Sequence, residues 1–521
     1  TAVLTEGLSR YGEDIDPVVG AVVLEIIGYP GRSTLDPERK RSLLVGFLRS
    51  ILQRAAARAP FILAAEDLHW IDDASLRVLG ELVGDTAALP CLFVTTSRTG
   101  WTPPWAAEVI ELAPLDEERS RDLIEGMLQL PVDGTLAERV LGRTGGNPFF
   151  IEEIVRELQS SGYLVETDGR IVTDERAAER LPATIQEVVE ARLDRLSDEA
   201  KRVVRPAAVI GRTFWYRVLG GLVPSATLSE GLGILEREEV VAPRATTPEL
   251  TYAFRQALIR EVAYQVQLQS VRKKTHTAVA ATIEALFADR LEEFIDLLAF
   301  HYERGDDPGR ALEWLRRAGD RAKGLFANTE ALTMYGSALA LAADGSGTGD
   351  AGTIHERIGD VQLLLGRYDD AIASYTAGEA RGGDPAPARR AALLRKSGNA
   401  MAMKGDYAGA FATLDLALSL AHDDGAEHSR VLVQLGQLQW RQGAHTAARE
   451  TLKAGVGTGE KSGADDAVAD GLKQLGNVAL LGGDRKDATT YYRLSLAIYE
   501  RLGDTAGLAN VRSNLGVTYR R

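Results

Sequence analysis

Apolar residues in the first part of this 521-residue chain follow two different patterns. Residues 1–60 show the spacing of three and four that predicts amphipathic helices, most clearly from Glu38 to Ala59. Two short apolar runs without alternation follow, Phe61–Ala65 and Cys91–Val94, and such runs are typical of buried parallel strands. A helical pattern lies between them, so the order strand, helix, strand predicts a βαβ unit with a right-handed crossover.

Charged residues follow both predicted strands. Glu66 and Asp67 come directly after the first strand, and Arg98 comes shortly after the second. Because the carboxyl ends of parallel strands share one edge of the sheet, where open α/β folds bind ligands, we expect these side chains to lie together. In a nucleotide site, one acid would hold Mg²⁺, the other would orient the attacking water, and Arg98 would sense a γ-phosphate. The alternative is an acidic turn that simply ends a strand.

The middle of the chain predicts a mixture of helices and short strands. Glu108–Leu112 has the composition of a third strand, and helical patterns begin at Asp116. The turn at 144–148 contains two glycines and a proline before an apolar stretch, which is typical of a loop followed by a helix start. Thr184 and Glu187 fit a capping box and predict the start of a new structural unit.

The carboxyl-terminal part contains an internal repeat. Glycines recur in matching contexts at separations of 39, 38, 40 and 40 residues: Gly359, Gly398, Gly436, Gly476 and Gly516. A second series comes seven residues after the first four: Gly366, Gly405, Gly443 and Gly483. Each repeat predicts a helix, a tight turn and a second helix, in which small residues let the two helices approach closely, as in tetratricopeptide repeats. Gly319 lies 40 residues before Gly359 and predicts a divergent first repeat.

Composition excludes several classes of protein. The chain is 45% hydrophobic and 26% charged, as globular proteins are, and its net charge of -14 argues against a broad nucleic-acid-binding face. A single cysteine, Cys91, rules out a disulfide framework and fits a reducing compartment, so we expect a cytoplasmic protein. No apolar run is long enough to span a bilayer, and no membrane association is expected.

The motifs around the two acids resemble those of a known family. The stretch E-D-L-H-W-I-D-D-A-S-L, followed by L-F-V-T-T-S-R, is similar to the Walker B and sensor 1 region of the STAND ATPases, which are signal-transduction ATPases related to the AAA proteins. The resemblance is greatest to the bacterial branch of transcriptional regulators and multidomain adenylate cyclases. It implies that Glu66 and Asp67 are Walker B acids that bind Mg²⁺ and that Arg98 is sensor 1. It also implies that ATP or ADP is the cofactor of the intact protein.

Two further motifs are similar to parts of the same family. Gly146, Asn147 and Pro148 resemble its G-x-P motif, whose proline packs near the adenine. Phe254–Glu261 resembles the motif that carries a phosphate-sensing histidine, but Gln256 stands where the histidine is usual. The resemblance therefore implies a nucleotide contact at Gln256 in which a glutamine amide can donate to a phosphate without carrying charge.

The P-loop of this family is missing from the sequence. No G-x-x-x-x-G-K-[ST] occurs in the 521 residues, and the glycines at 28–34 have the wrong spacing, lack a lysine and predict a turn. A P-loop backbone cradles the phosphates and its lysine neutralises them, so we expect little or no ATP hydrolysis from this chain. The first interpretation is a fragment whose amino-terminal portion is missing, and the second is a degenerate ATPase.

These patterns predict a multidomain, mainly α-helical protein. It would combine a partial α/β P-loop-type ATPase core, a helical lid, a winged helix and an α-solenoid of tetratricopeptide-like repeats. The predicted ranges are 1–113 for the core, 114–180 for the lid, 181–275 for the winged helix, 276–345 for a helical linker or divergent repeat, and 346–521 for the repeats. Residues 181–275 contain 14 Lys and Arg against 11 Asp and Glu, so we expect the winged helix to close over the nucleotide instead of reading DNA.

The predicted function is a regulatory ATP-binding switch in signal transduction. The repeats would receive a protein or small-molecule signal and bias the equilibrium between an ADP-bound closed state and an ATP-bound open state. The output, DNA binding or cyclic-nucleotide synthesis, would come from a domain not present here, and a nucleotide-dependent oligomer is a further expectation. The alternative is a non-enzymatic tetratricopeptide scaffold with a degenerate ATPase remnant. A third interpretation, DNA binding through the winged helix, predicts salt-sensitive DNA retention.

Overall fold

The structure is a computed structural model that describes residues 16–26, 37–86, 88–167, 169–173, 184–245, 249–325, 327–342, 351–381 and 386–520. The predicted turn at 28–34 lies outside the described residues. Two compact units are distinguished, with residues 40–307 forming most of the first and residues 308–520 most of the second. Both units are mainly helical, as predicted. None of the described helices combines the length and apolar character that crossing a membrane requires.

The described chain begins with helices and a small parallel sheet. Its elements are helices α1 (Pro17–Ile26) and α2 (Pro37–Arg58), strand β1 (Phe61–Ala65), helix α3 (Asp73–Thr86) and strand β2 (Cys91–Thr95). The Asp72 carboxylate accepts a hydrogen bond from the Ser75 amide at 2.8 Å, which closes the first turn of α3. The strands pair in parallel, with Phe61 opposite Cys91. The predicted strand, helix, strand order with parallel pairing is therefore confirmed.

One face of this sheet is exposed, although the sequence predicted buried strands. Exposure alternates along both strands, and Ile62 is 68% exposed while Leu92 is 59% exposed. The predicted third strand at Glu108–Leu112 is wrong, because residues 106–116 contain no strand and Ile110 is 79% exposed. A strand needs a hydrogen-bonding neighbour. No strand among the described residues pairs with this segment, so its β-like composition is not sufficient.

The next part of the first unit is a group of three helices with a β-hairpin. Its elements are α4 (Glu117–Leu128), α5 (Gly134–Thr144), α6 (Pro148–Ser160), β3 (Leu164–Thr167) and β4 (Arg170–Thr173). The Asp116 carboxylate accepts a hydrogen bond from the Arg119 amide at 2.9 Å and caps α4. Ile124, Val140 and Ile154 come one from each helix and are fully buried. Apolar residues at helical spacing thus form one shared core.

The last part of the first unit combines helices with a three-stranded antiparallel sheet, in which β7 lies between β5 and β6. Its elements are α7 (Ile185–Asp194), α8 (Asp198–Ile210), β5 (Thr213–Trp215), α9 (Tyr216–Gly220), α10 (Ser225–Arg237), β6 (Val241–Ala245), β7 (Thr251–Phe254), α11 (Ala257–Gln265), α12 (Gln269–Leu286) and α13 (Ile295–Glu303). Thr184 accepts a hydrogen bond from the Glu187 amide at 3.2 Å, so the predicted cap of α7 is confirmed.

The second unit is a solenoid of helical pairs. The pairs are α14 and α15 (Pro308–Gly324, Asn328–Leu341), α16 and α17 (Ala351–Leu364, Tyr368–Arg381), α18 and α19 (Pro387–Lys404, Tyr407–Leu420), α20 and α21 (Gly425–Arg441, His445–Ser462), and α22 and α23 (Asp465–Leu481, Arg485–Leu502), followed by α24 (Thr505–Arg520). This arrangement confirms the predicted repeat of helix, turn and helix. The tight turn between α18 and α19 contains Gly405 at φ +97°, a conformation that favours glycine.

A glycine in the first helix of each pair faces a large side chain sixteen residues later in the second helix. The five contacts are Gly319 with Tyr335, Gly359 with Tyr375, Gly398 with Leu414, Gly436 with Leu452, and Gly476 with Tyr492. A methyl group at Gly359 would lie 2.6 Å from the Tyr375 ring, so only glycine allows this close approach. The pair at Gly319 has the same packing, as expected of the divergent first repeat.

Polar contacts also connect neighbouring repeats. The Tyr375 hydroxyl donates to Asp360 at 3.0 Å, and the ammonium groups of Lys323 and Lys396 lie 3.1 Å and 2.8 Å from the same carboxylate. Burial opposes ionisation of Asp360, but the two ammonium groups outweigh it and keep the pKa of that carboxyl below its ordinary value. Asp360 therefore links three successive first helices, α14, α16 and α18.

Candidate functional site

Asp67, the second of the two acids that follow β1, is held in place by the residue that follows β2. The Asp67 backbone is left-handed (φ 58°, ψ 39°), a conformation that Asp and Asn tolerate better than other non-glycine residues. The Asp67 amide donates to the Thr96 hydroxyl at 3.0 Å, and the Leu68 amide donates to the Thr96 carbonyl at 2.9 Å. Thr96, which had no predicted role, therefore positions the Asp67 carboxylate at the carboxyl edge of the sheet.

A cavity of about 1150 Å³ opens beside this edge. Glu66, Asp67 and Arg98 all line it, so the three side chains lie together as parallel strands predict. Four further arginines line the same cavity and are called the arginine cluster below: Arg212, Arg244, Arg260 and Arg272. The predicted catalytic residues thus share one cavity with a group of cations that no local motif had indicated.

One member of the arginine cluster is paired with a predicted metal ligand. A guanidinium nitrogen of Arg212 lies 2.7 Å from a carboxylate oxygen of Asp67. The two side chains are 46% and 44% exposed, so water screens this ion pair and it contributes little to stability. Among the described residues, Arg212 is the one arginine of the cluster with a carboxylate within ion-pair distance.

Arg260 and Arg272 are held by an aromatic ring instead of by acids. Their guanidinium carbons lie 5.2 Å and 4.8 Å from the centre of the Tyr264 ring, within the range of cation–π contacts. The Nε–H of Arg260 donates to the Ala208 carbonyl at 2.9 Å. Burial lowers the pKa of Arg260, because the interior disfavours its charged form. These contacts fix two positive charges at the cavity wall.

Glu66 and Asp67 provide two carboxylates for a divalent cation. No group of three or more His, Cys, Asp and Glu suited to a metal ion occurs in the described part of the chain. Mg²⁺ is usually bound by one or two carboxylates together with substrate phosphates and water. The two acids would therefore fit Mg²⁺ with phosphate oxygens completing its coordination, and Arg212 would compete with the ion for the Asp67 carboxylate.

Gly146, Asn147 and Pro148 form the turn between α5 and α6. Gly146 has φ +76°, and a methyl group there would clash with the Leu115 carbonyl oxygen. The Asn147 side chain accepts a hydrogen bond from the Phe150 amide at 3.2 Å, and Pro148 is the first residue of α6. These contacts give the motif a structural role. None of its three residues lines the cavity.

Gln256 immediately precedes α11, but its side chain does not cap that helix. Its side-chain oxygen is buried and has no hydrogen-bond partner among the described residues. Gln256 does not line the cavity, whereas Arg260, one turn further along α11, does. Gln256, which stands where the resembled motif usually has a histidine, is therefore not the residue of this segment that reaches the cavity. Arg260 is.

Two buried histidines lie behind the cavity-lining Tyr264. Their Nδ1 atoms are 2.9 Å apart in His276 and His301, and the Tyr264 hydroxyl lies 3.0 Å from the Nε2 of His276. Burial, with the nearby guanidinium of Arg304, lowers the pKa of His276 to about 4. Burial and the neighbouring His276 lower the pKa of His301 to about 3. Both rings are therefore neutral at pH 7, and one Nδ1–H donates to the other Nδ1.

Lowering the pH from 7 to 4.5 is expected to destabilise the first unit through these histidines. An unfolded histidine takes up a proton near pH 6.5, whereas folded His276 and His301 resist protonation. Their contribution to stability is therefore fully present above about pH 6.5 and is lost as the pH falls toward the folded pKa values. We expect a loss of at least about 2 kcal/mol.

Hydrogen exchange of α12, corrected for the intrinsic pH dependence of exchange, measures this change. The double variant His276→Phe, His301→Leu lacks both titrating rings and should lose much less stability over the same pH range. An equal loss in the wild type and the double variant would show that other groups cause the acid sensitivity.

A second cavity, of about 550 Å³, lies among α6, α7 and α10. The carboxylate of Glu153 is 2% exposed and lies 2.6 Å from the guanidinium of Arg192, which is 12% exposed and also donates to the Glu238 carbonyl. Glu157 of α6 pairs with Arg195, the residue that follows α7. Burial raises the pKa of Glu157, but hydrogen bonds from Arg195 and Ser161 outweigh burial and lower it overall. These ion pairs join α6 to α7.

Comparisons with known proteins show which proteins this chain is similar to in sequence and in fold. No family model matches the chain. In sequence, the chain is 29% identical over 344 residues to an uncharacterised protein of Rhizobium meliloti (strain 1021), and the match covers 63% of this chain and 32% of that protein. In structure, it is similar to a Signal Transduction ATPase with Numerous Domains (STAND) protein with a tetratricopeptide repeat sensor from Pyrococcus horikoshii. That match has 13% identity and a TM-score of 0.50, and it covers 97% of this chain and 73% of the other.

Other repeat proteins show weaker structural similarity to this chain. One is the Rap conjugation gene regulator of the plasmid pLS20, solved in complex with the Phr* peptide, at 15% identity and a TM-score of 0.36 over 47% of this chain and 73% of that chain. The chain spans 32% of the length of its Rhizobium relative. At 13% identity, the likeness to the Pyrococcus protein is a likeness of fold alone.

Proposed function

We propose that this chain belongs to a nucleotide-responsive switch protein of signal transduction. In this proposal, the cavity beside β1 and β2 holds ATP or ADP with Mg²⁺, and the repeats bind the signal. The observation that carries the proposal is the meeting of Glu66, Asp67 and Arg98 in one cavity with the arginine cluster. Adjacent carboxylates for a cation, surrounded by guanidinium groups for anions, match the needs of a metal-bound polyphosphate.

Each side chain has a distinct task in this proposal. Asp67, directed into the cavity by its left-handed turn, would hold Mg²⁺, and Glu66 would orient a water molecule. Arg98, whose guanidinium carbon lies 5.9 Å from the centre of the Trp70 ring, contacts the terminal phosphate. Mg²⁺, when bound, neutralises phosphate charge. The turn at 146–148 would act indirectly, by fixing the start of α6.

The proposed domains follow the predicted ranges. Residues up to 113 would be part of a P-loop-type ATPase core, 114–180 a helical lid, and 181–275 a winged helix that closes over the nucleotide. A gene-regulatory or adenylate cyclase output would require a domain outside these 521 residues. Occupancy of the cavity by ATP instead of ADP would favour one of two conformations, and a protein or small molecule on the repeats would bias the same equilibrium.

Replacing Asp67 by asparagine tests the proposed function. We expect the full chain to bind ATP and ADP in the presence of Mg²⁺, and Asp67→Asn to weaken this binding by at least about tenfold, because a neutral amide is a poor Mg²⁺ ligand. Asparagine tolerates the left-handed backbone of this position, so the fold should persist. Isothermal titration calorimetry measures the affinities. ATP turnover should be negligible in both proteins, since no P-loop sequence is present.

Asp122→Asn is the matched control, because Asp122 is an exposed residue of α4 that does not line the cavity. Its affinity should equal that of the wild type. Absence of Mg²⁺-dependent nucleotide binding at millimolar ATP would reject the proposal in favour of a second candidate.

That second candidate is a non-enzymatic scaffold whose repeats bind a partner protein. A row of apolar side chains favours it. Leu364, Met403 and Leu481 each follow a repeat glycine by five residues and are 58%, 46% and 62% exposed. Equivalent positions in the repeats follow one another along a solenoid, and Arg441 occupies this position between Met403 and Leu481. These exposed apolar positions suit an extended apolar segment of a partner, with or without a nucleotide in the first unit.

A further inference from the structure

The charges around the larger cavity are unbalanced. Five arginines line it, whereas its acidic lining consists of Glu66, Asp67 and Glu261. This local excess of positive charge occurs in a chain whose net charge is -14. Guanidinium groups that face a shared cavity repel one another, and an anion between them relieves that repulsion.

The arginine cluster also offers guanidinium N–H groups that can donate hydrogen bonds to a ligand in the cavity. Arg260 donates to the Ala208 carbonyl through Nε, and its two terminal nitrogens have no hydrogen-bond partner among the described residues. The Tyr264 ring, over which the guanidinium groups of Arg260 and Arg272 lie, keeps both groups at the cavity wall. Both ring nitrogens of His69, which lines the same cavity, are buried and likewise have no partner in the described structure. The terminal nitrogens of Arg260 are thus available to an anion in the cavity that this residue lines.

We propose that the arginine cluster is a binding site for a polyphosphate anion, and that the anion draws Arg212 away from Asp67. The proposal rests on the proposed nucleotide function, since it names the groups that would hold the phosphates. In the structure, Arg212 neutralises Asp67 and so competes with Mg²⁺ for that carboxylate. A phosphate group offers Arg212 a doubly charged partner with bidentate geometry. Anion binding therefore releases Asp67 for the metal. The exposed Arg212–Asp67 ion pair, which we call the latch, thus couples anion binding to metal binding.

The anion site is tested by titrating inorganic triphosphate into the full chain without metal, in the presence of a chelator. We expect binding by the wild type and a loss of affinity of about tenfold or more in each of Arg244→Gln, Arg260→Gln and Arg272→Gln. Arg139→Gln, on the exposed face of α5, is the control and should bind as the wild type does. Arg260→Lys keeps the charge and should retain more affinity than Arg260→Gln, which separates anion binding from packing on Tyr264.

The site is overturned if the wild type does not bind triphosphate, or if Arg260→Gln binds it as tightly as Arg139→Gln does. The latch has its own test in Asp67→Asn, which removes the charge that holds Arg212. Without metal, this variant should bind triphosphate about two- to fivefold more tightly than the wild type. An unchanged affinity for triphosphate would reject the claim that the anion draws Arg212 away from Asp67.

The same variant distinguishes this inference from the proposed function, because the two predict opposite changes in affinity for Asp67→Asn. Asp67→Asn should strengthen metal-free triphosphate binding and weaken Mg²⁺-dependent nucleotide binding. If triphosphate binds as expected while Mg²⁺-ATP binding does not depend on Asp67, the nucleotide function fails and the anion site stands. If Mg²⁺-ATP binds through Asp67 but triphosphate binding ignores the cluster, the anion site fails and the nucleotide function stands.

Discussion

Replacing Arg192 by methionine is expected to lower the free energy of unfolding of the first unit by about 3–5 kcal/mol. The reason is the burial of its partner: the Glu153 side chain is 2% exposed, and Arg192 is the cation that pairs with it at 2.6 Å. Without the guanidinium, a carboxylate remains in a site that water scarcely reaches, and the Glu238 carbonyl loses a donor. Hydrogen exchange of peptides from α6 and α7 in the full chain measures the loss.

Two control variants identify the cause of that loss. Arg139→Met removes an exposed arginine and should change stability by less than about 0.5 kcal/mol. The double variant Glu153→Met, Arg192→Met replaces both charges by apolar groups and should recover most of the stability that Arg192→Met loses. If the double variant is as unstable as the single one, packing by the arginine stem, and not the unpaired carboxylate, is responsible.

Features that depend on neighbouring residues were predictable from the sequence. The cap at Thr184 follows from a hydrogen-bonding side chain placed next to a helical pattern, and it is present. The parallel pairing of β1 with β2 follows from strand length and the intervening helix. The repeat glycines were visible because each repeat sets the same steric limit at the same place. In these cases a pattern of residues along the chain contains the physical cause.

Features that depend on distant residues were not predictable. Asp67 and Arg212 are 145 positions apart in sequence, and tertiary packing alone brings them to 2.7 Å. His276 and His301 are 25 positions apart and lie on different helices. The segment Glu108–Leu112 fails for the related reason that a strand exists through its partner, which sequence composition does not describe. The predicted acids and Arg98 lie in one cavity, but the arginine cluster that defines its charge had no local signature.

The tyrosines that face the repeat glycines are a further example, since the glycine spacing predicted close helix contact but not the side chain that fills it. Tyr375 is 1% exposed, its ring packs on Gly359, and its hydroxyl donates to Asp360. Replacing Tyr375 by alanine is expected to lower the stability of its repeat by about 3–5 kcal/mol, because a large buried side chain is lost beside a glycine that cannot fill the space. Tyr375→Phe removes only the hydrogen bond and should cost about 1 kcal/mol.

Hydrogen exchange along the second unit measures both the size and the reach of this effect. Because each repeat of a solenoid packs mainly on its neighbours, exchange should increase most in α16, α17 and α18 and least in α22 to α24. Tyr407→Ala is the matched control, since Tyr407 begins α19 with 37% of its surface exposed and should cost less than about 1 kcal/mol. A uniform increase in exchange from α14 to α24 would instead mean that the repeats unfold as one cooperative block, so that a signal bound at any repeat would be transmitted through the whole solenoid.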